Sequence, residues 1–308
     1  MIHTLGFSPS LDISYTVDAI EAGAIHRPRT VLRVAGGKSL NASRALARLG
    51  CEVRAIAPLG GLLGDLVADL LIPTGVILDR ILTGQPTRLC VSASDESAHT
   101  LTEFYEPAPT GDELILPEVA GRLAGVQPGE WLTISGSVPS GIDHETLAGL
   151  LAECTARGIR LGVDVHGPAL GLIIERARPE MIKINRFEAV ELVGAEIVDL
   201  VDLGPAVQAR GAVDVVITDG VAGSIGWDRS GDGWRAVNQA APGGYPVGSG
   251  DCFLAGLVSE LAADRTLAEA LEVAAAVGAA NAAIPGGGIF DLETVAQLRG
   301  VTMITPLR

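Results

Sequence analysis

The second half of the chain repeats one pattern, in which a short apolar run is followed by a polar or glycine-containing loop and then by a stretch with helical spacing. Four such runs are residues 131–134, 159–165, 181–184 and 213–218. Runs that are apolar almost throughout are typical of strands buried on both faces of a parallel sheet, with helices as the crossovers between them. The pattern therefore predicts an α/β fold built on a mainly parallel central sheet.

The first third of the chain has strands of a different kind. Apolar and polar side chains alternate in residues 11–17, 30–34, 87–92 and 100–105. Alternation predicts strands with one solvated face, and the last two runs flank a short polar turn, which predicts a hairpin. We therefore expect a separate small sheet formed by about residues 11–34 and 84–106.

The length and charge of the chain limit what it can be. With 308 residues it can bury a large core, and we expect a single domain over residues 1–308. Its 22 basic and 37 acidic residues give a net charge of −15, which disfavours nucleic acids and anionic membranes as partners. The chain has no apolar stretch of bilayer-spanning length, no signal-peptide pattern and no cysteine spacing typical of a metal site. These features predict a cytoplasmic protein.

A glycine loop precedes the most apolar helical run. It reads Gly248-Ser249-Gly250-Asp251, and small apolar residues follow it from 252 to 258. Two glycines one residue apart let successive N–H groups point into one concavity, and the positive end of the helix adds to the attraction for an anion. A carboxylate beside such a phosphate cradle suits a base that accepts the proton of an attacking hydroxyl. The alternative is an ordinary loop with an acidic helix cap.

A second glycine pair, Gly36-Gly37, opens a predicted helix that ends near Gly50 and carries Lys38 and Asn41 on its first turn. These two side chains could reach one ligand with a cation and an amide. The Gly-Lys-Ser triplet is not a Walker A loop, because that motif needs a glycine five positions before its Gly-Lys pair and position 32 is Leu. A solvated lysine beside a polar helix start is the alternative.

Other polar residues are candidates because of where they fall. Asp12 begins an alternating strand, and Arg88 has the planar fork that suits a phosphate or carboxylate, although a turn cap and a surface arginine are the common alternatives. Asn185 and Glu188 could approach a metal-bound phosphate or could form a helix-capping pair. A further glycine turn follows the strand at 213–218.

Four stretches, in this order, resemble the motifs of the ribokinase-like PfkB family of carbohydrate kinases. They are Gly36-Gly37-Lys38-x-x-Asn41, Lys183-x-Asn185-x-x-Glu188, Thr218-Asp219-Gly220-x-x-Gly223 and Val247-Gly248-Ser249-Gly250-Asp251. The resemblance implies a three-layer α/β/α fold whose small sheet is a lid over the sugar. It also implies ATP and Mg²⁺ as cofactors, a sugar phosphate as substrate, and a homodimer formed through the lid.

Within the family, the chain is similar to the branch of 1-phosphofructokinases and tagatose-6-phosphate kinases. The similar stretches are Pro9-Ser10-Leu11-Asp12, Thr87-Arg88, Ser135-Gly136-Ser137-x-Pro139-x-Gly141 and Pro246-Val247-Gly248-Ser249-Gly250-Asp251. The chain departs from that branch at Ser8, Ser39, Cys90 and Ile184, whereas the loop that carries Asp251 is intact. The departures therefore bear on the identity of the sugar more than on the chemistry.

The resemblance also implies roles for individual residues. The sugar hydroxyls would be held by Asp12, Gly37 and Asn41. The phosphate already on the sugar would be held by Lys38, Arg88 and Ser137, with Arg27 reaching across from a second subunit. The base would be Asp251, and the anion hole would be formed by the amides of Gly248, Ser249 and Gly250. Mg²⁺ and the ATP phosphates would be organised by Asn185 and Glu188, and the nucleotide would be lined by Thr218, Gly220, Gly223 and Asn281.

Three other functions remain open on the sequence. A kinase for an unphosphorylated sugar or a nucleoside would keep the same motifs, and a non-catalytic sugar or nucleotide sensor would keep the same cradles. A dinucleotide-dependent oxidoreductase is the least favoured of the three, because no Gly-x-Gly-x-x-Gly follows the first strand with an acidic residue at the right distance. If Lys38 and Arg88 hold the sugar phosphate, replacing either by Ala raises KM for that substrate far more than KM for ATP.

Overall fold

The structure is a computed structural model that describes residues 1–111, 114–194, 199–240 and 242–307. Those ranges contain fourteen strands: β1 (Ile2–Leu5), β2 (Ser10–Val17), β3 (Thr30–Gly36), β4 (Val53–Leu59), β5 (Ile77–Leu82), β6 (Arg88–Asp95), β7 (Thr100–Tyr105), β8 (Trp131–Gly136), β9 (Arg160–Val165), β10 (Met181–Asn185), β11 (Asp214–Thr218), β12 (Ser224–Trp227), β13 (Gly233–Asn238) and β14 (Thr302–Pro306). They also contain ten α-helices: α1 (Lys38–Arg48), α2 (Gly61–Leu71), α3 (Ile115–Leu123), α4 (His144–Ala156), α5 (Pro168–Ala177), α6 (Arg186–Val193), α7 (Leu200–Gln208), α8 (Ser249–Ala262), α9 (Leu267–Ala282) and α10 (Leu292–Arg299).

Ten of these strands form the central sheet, in the order β14-β13-β12-β11-β10-β9-β8-β1-β4-β5. The seven strands from β11 to β5 are parallel to their neighbours, whereas β12, β13 and β14 extend the sheet in antiparallel register. The parallel strands are the apolar runs of the sequence, and every residue of β8 is buried. The prediction of a mainly parallel central sheet is confirmed.

Helices cover both faces of this sheet. The core on one face includes apolar side chains from α1, α2, α8, α9 and α10, such as Leu257 and Ala274. The core on the other face includes side chains from α3 to α7, such as Leu147 and Ile173. Two separate cores on either side of one sheet make three layers, so the predicted α/β/α arrangement is also confirmed.

The small sheet has the strand order β3-β2-β6-β7. Strands β6 and β7 form the predicted antiparallel hairpin, β2 is antiparallel to β3, and β2 runs parallel to β6. The register places Ser10 opposite both Gly36 and Arg88. Residues far apart in the sequence therefore meet at the end of β2, next to the start of α1.

The carboxyl ends of the parallel strands carry the polar residues of interest. Gly136 ends β8, Asn185 ends β10 and Thr218 ends β11, so all three face the edge where open parallel sheets bind ligands. None of the helices in the described ranges combines the length and the apolarity needed to cross a membrane.

Candidate active site

The glycine loop before α8 forms one wall of the candidate site. Gly248 caps the helix with a φ of 80°, in the left-handed region that favours glycine. The N–H of Ser249 donates to the carbonyl of Pro246 over 3.1 Å, whereas the N–H groups of Gly248 and Gly250 have no acceptor in the described part of the chain. Two of the three amides in the predicted anion hole are therefore available to a ligand.

Asp251 lies one residue beyond those amides, with 6% of its surface exposed. Its Oδ2 accepts a hydrogen bond from Nδ2 of Asn41 over 2.9 Å. Burial raises the pKa of Asp251 to about 6, against the opposing effects of the Lys38 charge and the Asn41 hydrogen bond. A carboxylate with this pKa is ionised at neutral pH and can accept a proton there, as a general base must.

Two lysines and a buried carboxylate lie beside Asp251. Asp164, at the end of β9, has no solvent-exposed side-chain surface, and it bridges Nζ of Lys183 at 2.9 Å and Nζ of Lys38 at 3.4 Å. Both lysine charges act on Asp251. The charge of Asp164 is the largest influence on the pKa of Lys38 and raises it, and Asp251 and Glu188 act in the same direction. Asp251 therefore lies in a cluster of buried charges of both signs, next to the glycine loop.

Asp12 and the glycine pair form a second polar region. Oδ1 of Asp12 accepts a hydrogen bond from the Ser10 hydroxyl over 2.5 Å, and burial raises the pKa of Asp12. A methyl group on Gly36 would lie 1.9 Å from Cγ of this carboxylate, so only glycine leaves room for it. Gly37 has a φ of 89°, and a methyl group there would lie 2.8 Å from the carbonyl oxygen of Ser8.

Arg88 makes its hydrogen bonds in this second region. Its Nη2 donates to the carbonyl of Ser8 over 3.3 Å, and its Nη1 donates to the carbonyl of Glu106 over 3.1 Å. Nε of Arg88 and the hydroxyl of Ser8 are buried and have no partner within the described residues. Ser137 is half-buried in the loop after β8, and Arg27 is exposed in the connection between β2 and β3. The two predicted phosphate-binding cations thus have different hydrogen-bond partners, Asp164 for Lys38 and two backbone carbonyls for Arg88.

A cavity of about 300 Å³ borders the glycine loop at Ser249 and Gly250. Among its lining residues are the predicted Thr218, Gly220 and Gly223, together with Ser249 and Gly250 of the loop. Residues that were not predicted complete the lining, namely Val221, Ser224, Asn238, Ala240, Pro242, Gly243, Pro246, Phe253, Ala275, Gly278, Ala279 and Ala282. A cavity of this size beside free backbone amides fits a nucleotide whose phosphates point toward Asp251.

Asn281 does not line that cavity. It is completely buried, and its Nδ2 donates to the carbonyl of Val247 over 2.8 Å. Its Oδ1 accepts the N–H of Gly288 over 2.9 Å and the thiol of Cys252 over 3.1 Å. Asn281 therefore ties the loop before α8 to the Gly286-Gly287-Gly288 turn, and its contact with a nucleotide stays a prediction.

Asn185 and Glu188 form the capping box of α6. Oδ1 of Asn185 accepts the N–H of Glu188 over 2.9 Å, and Oε2 of Glu188 accepts the N–H of Asn185 over 2.8 Å. The remaining carboxylate oxygen, Oε1, lies 4.0 Å from Nδ1 of His166. The described residues contain no group of three or more His, Cys, Asp or Glu side chains placed to hold a metal ion. The single carboxylate of Glu188 beside the amide of Asn185 still fits Mg²⁺, because proteins usually hold this ion through one or two carboxylates together with substrate phosphates.

Three residues of the site were not predicted from the sequence. Lys183 and Asp164 are charged side chains inside apolar strands, a signal that could have identified them. Arg44 lies three positions after Asn41 and contacts it, so both are on one face of α1.

Comparison with known proteins identifies the family of the chain. A family model described as pfkB family carbohydrate kinase matches residues 8–294. The ATP-dependent 6-phosphofructokinase isozyme 2 of Escherichia coli (strain K12) is 30% identical over 287 residues, which are 91% of this chain and 91% of that protein. The structure of Escherichia coli phosphofructokinase-2 with substrates and products matches with a TM-score of 0.90 and 27% identity, over 97% of this chain and 98% of the other. A Thermotoga maritima structure described as a possible 1-phosphofructokinase shares the fold, with a TM-score of 0.87 and 21% identity over 99% and 100% of the two chains.

Proposed function

The chain belongs to the pfkB family of carbohydrate kinases, phosphotransferases with an alcohol acceptor, and we propose that it transfers the γ-phosphoryl group of ATP to a hydroxyl of a ketohexose phosphate. One observation carries the proposal: the ionisable Asp251 lies at the start of α8, beside two amides that have no acceptor in the described residues. The candidate acceptors are fructose 6-phosphate, fructose 1-phosphate and tagatose 6-phosphate.

The arrangement supports a direct transfer. Phosphoryl transfer needs the acceptor oxygen in line with the γ-phosphorus and donors that stabilise the charge on the transferred group. Asp251 takes the proton of the sugar hydroxyl as the new O–P bond forms. The bond between the γ-phosphorus and the bridging oxygen breaks, and ADP leaves with that oxygen. The free N–H groups of Gly248 and Gly250, with the ammonium groups of Lys38 and Lys183, stabilise the phosphoryl oxygens.

The second polar region supports a phosphorylated sugar as acceptor. Arg88 has a buried Nε without a partner in the described residues, and an unsatisfied buried donor is costly unless a ligand accepts from it. Asp12, Gly37 and Asn41 bind the sugar hydroxyls, and Ser137 joins Arg88 at the phosphate. The curated relative at 30% identity is a 6-phosphofructokinase by name, which favours the same class of substrate.

Membership in a kinase family implies ATP, typically with Mg²⁺. The 300 Å³ cavity beside Ser249 and Gly250 is the proposed nucleotide site. Glu188 and Asn185 would hold Mg²⁺, which neutralises phosphate charge when bound. Thr218 and the glycines of the turn after β11 line the base or ribose.

We further propose that the small sheet is both a lid and a dimer contact. Val31 and Phe104 lie on its strands with 43% and 66% of their surfaces exposed. Exposed apolar side chains on one sheet are typical of an interaction surface. In such a dimer, Arg27 of the connection between β2 and β3 would reach the sugar phosphate of the other subunit. Size-exclusion chromatography with light scattering tests the dimer, which Phe104→Asp should weaken.

An assay of ADP release tests the main proposal. Wild-type enzyme is supplied with ATP, Mg²⁺ and one of fructose 6-phosphate, fructose 1-phosphate, tagatose 6-phosphate, fructose or ribose. ADP release with a ketohexose phosphate is expected, and Asp251→Asn should lower kcat by about 10²- to 10⁴-fold, the usual contribution of a general base. The matched control is Asp264→Asn, at the other end of α8, where the side chain is 84% exposed.

Two other outcomes would replace the proposal. ADP release with fructose or ribose and with no sugar phosphate would indicate a kinase for free sugars. Nucleotide binding without ADP release from any acceptor would indicate a sensor.

A further inference from the structure

Arg44 lies in the second turn of α1 and contacts three separate segments. Its Nη1 donates to the carbonyl of Ala35 over 2.7 Å, at the end of β3. Its Nη2 donates to Oδ1 of Asn41 over 2.9 Å and to the carbonyl of Gly287. One guanidinium therefore ties the small sheet, the first turn of α1 and the 286–288 turn together.

The hydrogen bond between Arg44 and Asn41 determines the orientation of the Asn41 side-chain amide. An amide side chain has a donor end and an acceptor end, whereas a guanidinium has donors only and an ionised carboxylate has acceptors only. Because Arg44 takes the oxygen of Asn41, the NH₂ group faces Oδ2 of Asp251 at 2.9 Å. The flipped amide would set NH₂ against the guanidinium and oxygen against the carboxylate, which are both repulsive contacts.

Close packing at Gly287 and Gly248 leaves little space for the Asn41 side chain to move. A methyl group on Gly287 would lie 2.6 Å from Nδ2 of Asn41, and one on Gly248 would lie 2.3 Å from Cα of Gly287. Arg44 thus holds a packed unit in which the turn at 287, the Asn41 amide and the glycine loop are in contact. Burial lowers the pKa of Arg44, and the charges of Asp12 and Asp251 oppose that effect.

We propose that Arg44 is a positioning residue for the transfer reaction: it fixes the Asn41 amide so that its donor end always faces the carboxylate of Asp251. The inference rests on the proposed role of Asp251 as base. Arg44 itself does not touch the reacting atoms. Its contribution is that the base is held ionised and oriented before the sugar arrives.

A carboxyl titration tests the proposal without any need for catalysis. The protein is labelled with ¹³C at aspartate side-chain carboxyls, the Asp251 signal is assigned with Asp251→Asn, and its midpoint is compared between wild type and Arg44→Met. A hydrogen bond to a charged group contributes roughly tenfold to a hundredfold in an equilibrium constant, so loss of the fixed Asn41 donor should raise the midpoint by about one pH unit or more. Arg48→Met, an exposed arginine one turn further along α1, should leave the midpoint unchanged.

A double-mutant cycle separates action through Asn41 from a general loosening of the site. If Arg44 acts through the amide, Arg44→Met raises the Asp251 midpoint clearly less in the Asn41→Ala background than in wild type, and the rise that remains is the direct effect of the lost Arg44 charge. Additive shifts, or an unchanged midpoint in Arg44→Met, overturn the proposal. If Arg44→Met does not fold, Arg44→Lys replaces it; a lysine lacks the fork needed for all three acceptors, so an intermediate rise is expected and a wild-type midpoint overturns the proposal.

The kinetic measurement distinguishes this inference from the proposed function. In an active enzyme, Arg44→Met should lower kcat at least tenfold, change KM for ATP less than about twofold, and move the acid limb of the pH–rate profile upward with the carboxyl midpoint. A fall in kcat with an unmoved acid limb overturns the positioning role. If wild type releases no ADP with any sugar phosphate, the proposed function fails, while the carboxyl titration still decides the role of Arg44.

Discussion

Nζ of Lys183 lies 2.9 Å from Oδ2 of Asp164, a carboxylate with no exposed side-chain surface. Lys38 contacts the other oxygen of the same carboxylate, and the charges of all three groups act on Asp251. Oppositely charged neighbours thus act in opposite directions on Asp251: the lysines lower its pKa and Asp164 raises it. We therefore expect the pH dependence of the activity to depend also on Lys183 and Asp164, which were not part of the predicted site.

Asp164→Asn should make the enzyme active at lower pH. In wild type, kcat/KM is expected to fall as pH drops below about 6, because Asp251 must be ionised to accept a proton. Without the negative charge of Asp164 the pKa of Asp251 falls, so the acid limb of kcat/KM moves to lower pH. A pH–rate profile measures this, with Asp69→Asn, an exposed carboxylate on α2, as the control. An acid limb at the wild-type position or higher would contradict the arrangement.

Lys38 and Arg88 should differ in their effects, because their hydrogen bonds belong to different clusters. Arg88→Met should raise KM for the sugar phosphate by about tenfold to a hundredfold and leave KM for ATP nearly constant, the usual effect of losing a charged hydrogen bond to substrate. Lys38→Met should chiefly lower kcat. It should also move the acid limb to higher pH, since Lys38 is the largest influence that lowers the pKa of Asp251.

Initial-rate kinetics with each substrate varied in turn separate the two variants. If Lys38→Met instead raises KM for the sugar phosphate as much as Arg88→Met does, Lys38 binds that phosphate, as the sequence resemblance implied. Lys38→Met is expected to act differently because Lys38 contacts Asp164 and its charge acts on Asp251.

Local patterns were enough to predict the two sheets, whereas the three-layer arrangement was expected from the family resemblance. Apolar runs indicated the parallel strands of the central sheet, and alternating residues indicated the hairpin of β6 and β7, because each pattern depends only on the burial of nearby side chains. The glycine loop and Asp251 were also recognisable locally, because two glycines one residue apart precede an apolar helical run. Gly248 has the positive φ that its place before α8 requires.

Contacts between distant segments could not be predicted in this way. The sequence shows that Asn281 ends an Ala-rich helix, but not that its amide is consumed by Val247 and Gly288. Likewise, Arg44 could be paired with Asn41 by helical spacing, whereas its third partner, the carbonyl of Gly287, lies 243 residues further along the chain. Which side chains are buried together depends on packing that no single stretch encodes.

Gly248→Ala should impair both stability and activity. Its φ of 80° is strained for alanine, and the new methyl group would lie 2.3 Å from Cα of Gly287. The backbone strain and the clash with Gly287 together should lower the free energy of unfolding by about 2 kcal/mol or more. Denaturant unfolding measures the change. Gly244→Ala is the matched control, because a methyl group there meets nothing within 4 Å, and equal losses in both variants would contradict the packing described.

Asp214→Asn should stabilise the protein at neutral pH and have little effect in acid. Asp214 begins β11, away from the site, and burial raises its pKa to about 6 from the usual 3.8. The folded protein therefore binds a proton more tightly than the unfolded chain, so stability falls as pH rises through the window from about 4 to 6 and the full penalty is present above it. An uncharged Asn avoids that penalty and can still accept the N–H of Arg229, which Oδ1 of Asp214 accepts over 2.9 Å. Unfolding free energies should differ by up to about 3 kcal/mol at pH 8 and converge near pH 4. A variant less stable than wild type at pH 8 would show that the carboxylate's attraction to Arg229 outweighs its burial.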